Sequence, residues 1–591
     1  MTKATIFEAQ QQQKTSPNII YQVGMPNPNS HLFEITLIVE NWSDSILNLK
    51  MPVWTPGSYL VREYARHIQD FKAISGQKNQ ILSSKKVSKN HWQVATDSLS
   101  RIIVQYRIFA NELTVRTNHL DQTHGYFNGA ALFYFIPGLE KQPITVQINS
   151  PNTDWKISTA LPSIPGKSNQ FLASDFDTLV DSPFEIGIHS IAEFEVLGKP
   201  HQYTIWGKGN LPEKKLVEDT KKIIETEANL FGELPYNHYL FILHLATKGF
   251  GGLEHKNSCS LIYPCFGFRD QDKYNRFIQL IAHEFFHLWN IKRIRPKALE
   301  TFDYEQENYT TSLWFSEGTT SYYDMIIPLR AGIYNRQKFL EILGKEITRF
   351  LNTPGRKVHP LSESSFDAWI KLYRRDSNSD NCQISYYLKG ELVSLLLDLL
   401  IRTKHQNQRS LDDVMVEMWK QFGKPEIGFM PQQLQQVIES VAKTDLQDFF
   451  ATYLDTTEEI PFDDYLEPFG LKLKAVIEQE TPYLGTRVQS ENGQEIIKFV
   501  EAESPAALAG IDSGDELLAI DGIRVTADQL NERLKDYQTG DIIQVTVFHQ
   551  DELKTFSISL DNPQPSRYEV VQFDNPSTEQ TQNLAGWLGD I

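Results

Sequence analysis

Residues Phe277–Ile291 read FIQLIAHEFFHLWNI, an apolar run without glycine or proline that contains a His-Glu-x-x-His motif. Such a run predicts a helix, on which residues four apart share one face. His283 and His287 can therefore bind one zinc ion, while Glu284, about 100° around the helix, can act on a water molecule at that ion. The motif is typical of zinc proteases.

A second stretch, downstream of the motif, supplies a candidate third zinc ligand. Leu313–Asp324 reads LWFSEGTTSYYD, and its Glu317 lies in an apolar setting where an unpaired buried carboxylate would be costly. Two histidines, one glutamate and an open position for water form a known catalytic zinc site. Asp324, about two helical turns further along, is predicted to accept the outward N–H of a zinc-bound imidazole. The alternative, with core histidines and a surface Glu317, requires three ligand types to coincide by chance.

Length and composition describe an ordinary globular protein of several domains. At 591 residues the chain is long enough for about three or four domains of usual size. Hydrophobic residues make up 40% of the sequence, and 57 basic residues against 75 acidic ones give a net charge of −18. Nucleic acids and anionic membrane surfaces bind concentrated positive charge, so neither is expected as a partner.

Cysteine content and hydropathy predict a cytoplasmic protein. Cys259, Cys265 and Cys382 are too few for a disulfide framework, and their spacing does not favour a structural zinc site. The start, Met1–Ser16, is polar and lacks the apolar core of a secretory signal. No later stretch is apolar over the length that a bilayer crossing requires.

The residue pattern predicts a multidomain α+β fold with four parts. Residues 1–190 alternate apolar and polar side chains, as in Phe33–Glu40, with turn residues at short spacing, which favours an antiparallel β-sandwich-like domain. Residues 191–470 begin with strands and continue as long helices, and a small sheet that leads into a His-Glu-x-x-His helix is typical of a metalloprotease cleft with a helical subdomain behind it. Residues 471–565 return to short strands, and residues 566–591 are predicted to form a docked or flexible C-terminal tail.

The third part resembles the PDZ domains of bacterial proteases. Ser504–Gly522 reads SPAALAGIDSGDELLAIDG, with glycines for tight turns and a final Asp-Gly hairpin signal. Leu484, Gly485 and Thr486 then correspond to the loop whose backbone N–H groups hold a peptide's C-terminal carboxylate while the peptide adds a strand to the sheet edge. A C-terminal peptide is therefore one candidate ligand, and a PDZ fold kept only for packing against the protease is the alternative.

With these parts in view, the chain resembles the glycyl aminopeptidase family of zinc metallopeptidases over nearly its full length. Members are gluzincins with a β-rich N-terminal domain, a thermolysin-like catalytic domain and a PDZ domain in this order. Gly251–His255 reads GGLEH and matches the family's exopeptidase motif, which is similar to the Gly-x-Met-Glu-Asn motif of aminopeptidase N. The resemblance implies that Glu254 binds the free α-amine of the substrate, beside Gly251 and Gly252, and leaves the task of His255 open.

A second match concerns the group that stabilises the oxyanion. Tyr387–Gly390 reads YLKG and resembles the Tyr-x-Lys-Gly motif that supplies the catalytic tyrosine in relatives of aminopeptidase N. A phenol aimed at the developing oxyanion stabilises a tetrahedral intermediate. Because neighbouring helical positions point in different directions, only one of Tyr386 and Tyr387 can face the zinc. The alignment of the motif favours Tyr387, with Tyr386 as the alternative.

These features predict a zinc-dependent aminopeptidase with one zinc ion per chain that acts on peptides with a free N-terminus. Glu284 is predicted to act as general base and then as general acid. The family resemblance, rather than the motifs, implies a preference for small first residues such as glycine or alanine. Two alternatives stay open: a PDZ-guided zinc endopeptidase, and a non-catalytic PDZ adaptor, which has no need of the complete set of site residues.

Overall fold

The computed structural model describes residues 16–97, 99–477 and 481–589. The expectation about a secretory signal concerns Met1–Ser16 and therefore falls, except for Ser16, outside the described residues. Among the described helices, none combines the length and the apolar character that crossing a bilayer demands. All three cysteines are free thiols.

The N-terminal part is β-rich, as predicted. Its elements are β1 (Asn18–Gly24), β2 (Leu32–Glu40), β3 (Ile46–Lys50), β4 (Ile68–Ser75), β5 (Ser84–Ser88), β6 (His91–Ala95), β7 (Arg101–Phe109), β8 (His119–Leu120), β9 (His124–Phe127), β10 (Ile144–Asn149), β11 (Lys156–Ser158), β12 (Gln170–Ala173), α1 (Phe176–Val180) and β13 (Phe184–Gly187). They form a six-stranded sheet ordered β12-β10-β1-β2-β7-β4, a four-stranded sheet ordered β11-β13-β9-β8 and a three-stranded sheet ordered β3-β6-β5.

The alternating pattern that predicts strands is visible in the largest of these sheets. Phe33 of β2 lies opposite Ile108 of β7, and Ile35 lies opposite Tyr106; all four are buried. The sheet is not wholly antiparallel, however, because β1 and β10 run parallel. Parallel neighbours need a long crossover connection, and here the intervening strands of this domain supply it.

The second part consists of a small sheet followed by helices. Its elements are β14 (Ser190–Val196), β15 (Lys199–Gly207), α2 (Glu213–Phe231), β16 (Tyr239–Ala246), β17 (Gly251–Glu254), β18 (Ser258–Pro264), α3 (Gln271–Phe286), a π-helix (Trp314–Thr319), α4 (Thr320–Arg330), α5 (Arg336–Leu351), α6 (Leu361–Phe366), α7 (Ser379–Cys382), α8 (Tyr386–His405), α9 (Leu411–Met418), α10 (Pro431–Ala442), α11 (Gln447–Asp455) and α12 (Phe462–Leu466). The five strands are ordered β14-β15-β16-β18-β17. The edge strand β17 runs antiparallel to β18 and packs against α3, which positions the exopeptidase motif beside the His-Glu-x-x-His helix.

The PDZ-like part has a core of its own. The remaining elements of the chain are β19 (Leu471–Val476), β20 (Thr486–Glu491), β21 (Gln494–Val500), α13 (Pro505–Ala509), β22 (Glu516–Ile520), β23 (Ile523–Arg524), α14 (Leu530–Leu534), β24 (Ile542–His549), β25 (Glu552–Ser559), β26 (Arg567–Gln572) and α15 (Thr578–Leu588). The sheet is ordered β20-β21-β22-β24-β25, with β23 paired to β22. Its buried side chains form a cluster separate from the catalytic core.

The predicted C-terminal tail contains ordered structure. β26 pairs with β19, the strand that precedes the PDZ sheet, and packs along α5. α15 buries Leu584 and Trp587 in the catalytic core, where the indole N–H of Trp587 donates to the Tyr322 hydroxyl at 3.0 Å. The segment therefore returns to the catalytic domain after the PDZ sheet. The four-part division of the chain stays a prediction.

Candidate metal centre and its cleft

Helix α3 holds both motif histidines on one face. Its N-terminus is capped by Asp270, whose carboxylate accepts from the backbone N–H of Lys273 at 3.0 Å. The regular helix ends at Phe286, earlier than predicted, but His287 keeps helical dihedral angles (φ −59°, ψ −18°). His283 and His287 therefore still lie one turn apart and project together.

The two imidazoles and Glu317 converge on one point. The Nε2 atoms of His283 and His287 lie 3.6 and 3.1 Å from the same oxygen, Oε2 of Glu317. Both Nδ1 atoms face outwards, to a carboxylate oxygen of Asp324 at 2.9 Å and to the backbone carbonyl of Asn290 at 2.7 Å. An Nδ1–H that donates to these acceptors leaves each Nε2 lone pair directed at the centre. This donor set fits a zinc ion with three protein ligands.

The electrostatics around Glu317 also fit a cation. Within the described part of the chain, Glu317 Oε1 and Glu284 Oε2 are buried without a hydrogen-bond partner. Burial alone would raise the pKa of Glu317, but the neighbouring His287 and His283 rings lower it to about 2. The carboxylate is thus an anion in a buried site, and once both imidazoles are neutral, as metal ligands must be, its charge lacks a cationic partner. A divalent cation among the three ligands supplies that partner.

Close backbone packing brings Glu317 next to α8, the helix that carries Tyr387. Glu317 lies in the π-helix, and the next residue, Gly318, crosses Gly390 of α8: a Cβ added at Gly318 would lie 2.5 Å from the Gly390 Cα. π-helical segments are rare and often occur at functional sites. This approach places Tyr387, one turn before Gly390, beside the metal ligands, with its ring centroid 6.2 Å from that of His283.

We expect Asp324→Asn to weaken zinc binding by about 10- to 100-fold, because an amide no longer provides the anionic acceptor that orients and polarises His283. Competition against a chromogenic chelator measures this affinity. Asp272→Asn is the matched control, since Asp272 lines the same cleft but pairs with Lys338 at 3.0 Å instead of a histidine. Equal zinc affinity in the two variants would contradict the role of Asp324.

The predicted base, Glu284, lies against β17, the strand that carries the exopeptidase motif. Glu284 is buried, and burial raises its pKa to about 7. A group that takes up and returns a proton works best at such a value. Gly252 of β17 covers this carboxyl group so closely that an added Cβ would lie 2.1 Å from its Cδ. The predicted base and the predicted substrate-binding glycines therefore share one wall.

Glu254 also faces the cleft, and the N-terminal domain completes its surroundings. Gly57, in the left-handed region at φ +86°, leaves space for the Glu254 carboxylate, which a Cβ would approach to 2.5 Å. Arg116 donates to the backbone carbonyl of Gly252 at 3.1 Å. Sequence analysis missed Arg116, because nothing in the chain around it points to β17.

The structure assigns His255 a place in a buried ion cluster. Its Nδ1 lies 3.2 Å from Asp181, which also accepts from Lys292 at 2.6 Å and from the backbone N–H of Lys256 at 2.7 Å. Burial alone would raise the pKa of Asp181, whereas Lys292 and His255 hold it well below its usual range. The cluster ties the end of β17 to the N-terminal domain and to the loop after α3. Asp181 is a further residue that sequence analysis missed.

Of the two candidate tyrosines, Tyr387 lines the cleft, while Tyr386 is fully buried. Burial and the Glu317 carboxylate raise the pKa of Tyr387, so its phenol stays protonated and able to donate. Together with Gly251, Gly252, Glu254 and the three candidate metal ligands, it surrounds a cleft of about 720 Å³. A cleft of this size accommodates a short peptide.

A second group of histidines lies between the N-terminal domain and the catalytic sheet. Both oxygens of the buried Glu185 are engaged, by His124 at 2.9 Å and by His244 at 2.9 Å, and His119 contacts the other ring nitrogen of His124 at 2.9 Å. These are hydrogen-bond distances to two separate oxygens, unlike the shared oxygen at Glu317. We interpret this group as a polar bridge between the two domains.

The predicted PDZ loop occupies the start of the edge strand β20. Leu484 is buried in the PDZ core, and Thr486 begins the strand. Gly485 adopts φ +86°, and a Cβ there would lie 2.2 Å from that of Ser504. The tight packing explains the glycine, while the role of this loop in peptide binding stays a prediction.

Comparison with known families agrees with the domain order. Family models match the Peptidase M61 N-terminal domain at residues 20–188, the M61 glycyl aminopeptidase domain at residues 276–393 and the PDZ domain at residues 482–560. Curated protein sequences give no significant match.

Two solved structures illustrate the likeness at different distances. An aminopeptidase N family protein from Idiomarina loihiensis has a TM-score of 0.91 at 32% identity, over 96% of this chain and 100% of that one. An M1 zinc metallopeptidase from Deinococcus radiodurans has a TM-score of 0.47 at 11% identity, over 75% of this chain and 95% of that one. The second is too distant to inform function. The predicted family, fold class and peptidase activity are confirmed, and the chain belongs to the M61 glycyl aminopeptidase family of peptidases.

Proposed function

We propose that this peptidase is a zinc-dependent aminopeptidase with one zinc ion per chain that releases small N-terminal residues such as glycine or alanine. The single observation that supports it most is the shared cleft: the His283, His287 and Glu317 donors converge on one point, and Glu284, Glu254 and Tyr387 line the same cavity.

A zinc ion held by His283, His287 and Glu317 would polarise the scissile carbonyl and lower the pKa of water towards about 7. Glu284 accepts a proton from the attacking water and returns it to the leaving amine. Its buried position excludes competing solvent contacts and raises its pKa towards neutrality. The protonated phenol of Tyr387 donates to the developing oxyanion.

Glu254 supports cleavage at the first residue. The residue is 4% exposed and stands at the end of the edge strand, where its carboxylate can pair with an α-ammonium group and so fix the N-terminus of the substrate. The space beside Glu254, next to Gly57 and Tyr59, is a cavity of only about 20 Å³. Of the described residues, only Gly57 and Glu254 line both this cavity and the cleft, so the proposed preference for glycine or alanine rests on the family resemblance.

A substrate scan tests the proposed function. Dipeptides and amino-acid amides with a free N-terminus are compared with their N-acetylated forms, each with and without a chelator. We expect cleavage of free-amine Gly and Ala substrates, loss of at least about tenfold on acetylation because the Glu254 ion pair is lost, and loss of all turnover with the chelator. Equal cleavage of acetylated substrates, or cleavage of internal bonds in longer peptides, would favour an endopeptidase instead.

A further inference from the structure

The PDZ domain contacts the catalytic domain at α7, the short helix between two tyrosines of the cleft. Tyr373 precedes α7 and Tyr387 follows it, and both line the cleft. Asp380 of α7 forms an ion pair with Arg487 of β20 and a second one with Arg375, which lies in the turn before α7.

A neighbouring residue of α7 adds two hydrogen bonds to the PDZ backbone. Asn381 donates through Nδ2 to the carbonyl of Val500 at 3.0 Å and accepts at Oδ1 from the N–H of Ala502 at 2.9 Å. One side chain thus holds the end of β21 and the turn that follows it. Backbone groups at fixed positions make this contact more specific than an exposed ion pair alone.

The PDZ surface beside α7 is the open edge of its sheet. β20 is one of the two outer strands, and a cavity of about 560 Å³ lies between β20, α14 and residues 376–380. The guanidinium of Arg487 lies 4.1 Å from the centre of the Phe499 ring, which holds the arginine in place for Asp380. The edge of the PDZ sheet therefore faces a segment of its own chain.

The same segment sets the hydrogen bonding of the proposed oxyanion donor. The hydroxyl of Tyr373 lies 3.0 Å from that of Tyr387 and 3.3 Å from that of Tyr386. If Tyr373 donates to the Tyr387 oxygen, the proton of Tyr387 is free to point at the oxyanion. Such a chain of two phenols also polarises the outer O–H.

We propose that Tyr373 is a positioning residue for Tyr387, and that the PDZ domain acts in cis as a clamp on α7 that keeps the two phenols in register. The inference rests on the proposed function, because the role of Tyr387 is proposed there. It means that the β20 edge of the PDZ sheet contacts α7 of the same chain, and that this contact affects kcat.

Tyr373→Phe tests the first half. We expect kcat on a glycine amide to fall about tenfold with KM nearly unchanged, the equivalent of one hydrogen bond. The double variant with Tyr387→Phe should be no slower than Tyr387→Phe alone, because the two residues act as one unit. Additive losses, or a loss confined to KM, would overturn the positioning role.

Arg487→Ala tests the clamp. Loss of one exposed ion pair is expected to lower kcat about two- to fivefold at constant KM, and Arg487→Lys should recover part of it. Arg524→Ala, exposed on β23 of the same domain, is the matched control and should match the wild type. Asp380→Asn removes the same ion pair from the other side. Its effect on kcat should therefore not add to that of Arg487→Ala. Wild-type kcat in both Arg487→Ala and Asp380→Asn would overturn the clamp.

Hydrogen exchange separates this inference from the proposed function, because it needs no substrate. In Arg487→Ala the backbone amides of residues 374–382 should exchange faster than in the wild type, while Arg524→Ala leaves them unchanged. Unchanged exchange in Arg487→Ala would overturn the clamp even if the enzyme is an aminopeptidase. Faster exchange in a protein that fails the substrate scan would support the clamp and reject the proposed function alone.

Discussion

Glu284→Gln should lower kcat by about a hundred- to ten-thousandfold while zinc stays bound. Glutamine keeps the shape of the side chain but can neither accept the proton of the attacking water nor return it to the leaving amine. The clustered ligand atoms come from His283, His287 and Glu317 and not from Glu284, so the ligand set is intact. Initial rates on a glycine amide, with zinc content from mass spectrometry of the same samples, measure both quantities.

Glu341→Gln is the control for this change, since Glu341 is exposed on α5 and pairs with Lys338. It should retain wild-type kcat and zinc. If Glu284→Gln kept full activity with zinc bound, the proton-transfer role of Glu284 would be wrong and another group in the cleft would have to supply it.

Tyr387→Phe should lower kcat by about a hundred- to a thousandfold with little change in KM, as expected for a donor that acts only on the developing oxyanion. The matched control is Tyr386→Phe, the same chemical change one position earlier, on a ring that is fully buried and outside the cleft. Tyr386 contacts Tyr373 at 3.3 Å, so we expect a loss of no more than about tenfold there.

The outcome of this pair settles a choice that sequence analysis left open. A larger loss in Tyr386→Phe than in Tyr387→Phe would contradict the assignment of Tyr387 and favour its neighbour. Equal, small losses would mean that neither phenol stabilises the oxyanion, and that the metal ligands and backbone carry this task.

The metal centre is the part of the site that local sequence patterns predict best. His283 and His287 share a helix face through their four-residue spacing, and Glu317 and Asp324 lie close together in the next helical segment. These relations depend only on helical periodicity and on the cost of burying a lone carboxylate. In the structure, a side-chain nitrogen or oxygen of each of these four residues lies within 3.6 Å of one from another of the four.

Relations between distant segments could not be predicted in the same way. Arg116 reaches β17 from the N-terminal domain, and Asp181 of the same domain pairs with His255 at the end of β17. Nothing in their own neighbourhoods marks these contacts, because they arise only when two domains pack. The contact between Tyr373 and Tyr387 depends in turn on how the chain folds back around α7.

Two features of the fold also depend on contacts between distant segments. The parallel pairing of β1 with β10 and the docking of α15 on the catalytic core involve residues far apart in sequence. Alternation within a strand shows which side chains are buried but not which strand lies alongside. The C-terminal segment begins with polar residues. They do not indicate that Leu584 and Trp587, further along, anchor its helix.

The zinc content of the purified protein and of Glu317→Ala tests the central claim most directly. Glu317 shares one oxygen with both motif histidines, so its removal takes one of three protein ligands from the ion. We predict about one zinc ion per chain in the wild type and in Glu284→Gln, and loss of that zinc from Glu317→Ala on dialysis. Stoichiometric zinc that survives dialysis in Glu317→Ala, or wild-type protein without zinc after purification in its presence, would contradict the proposed metal centre.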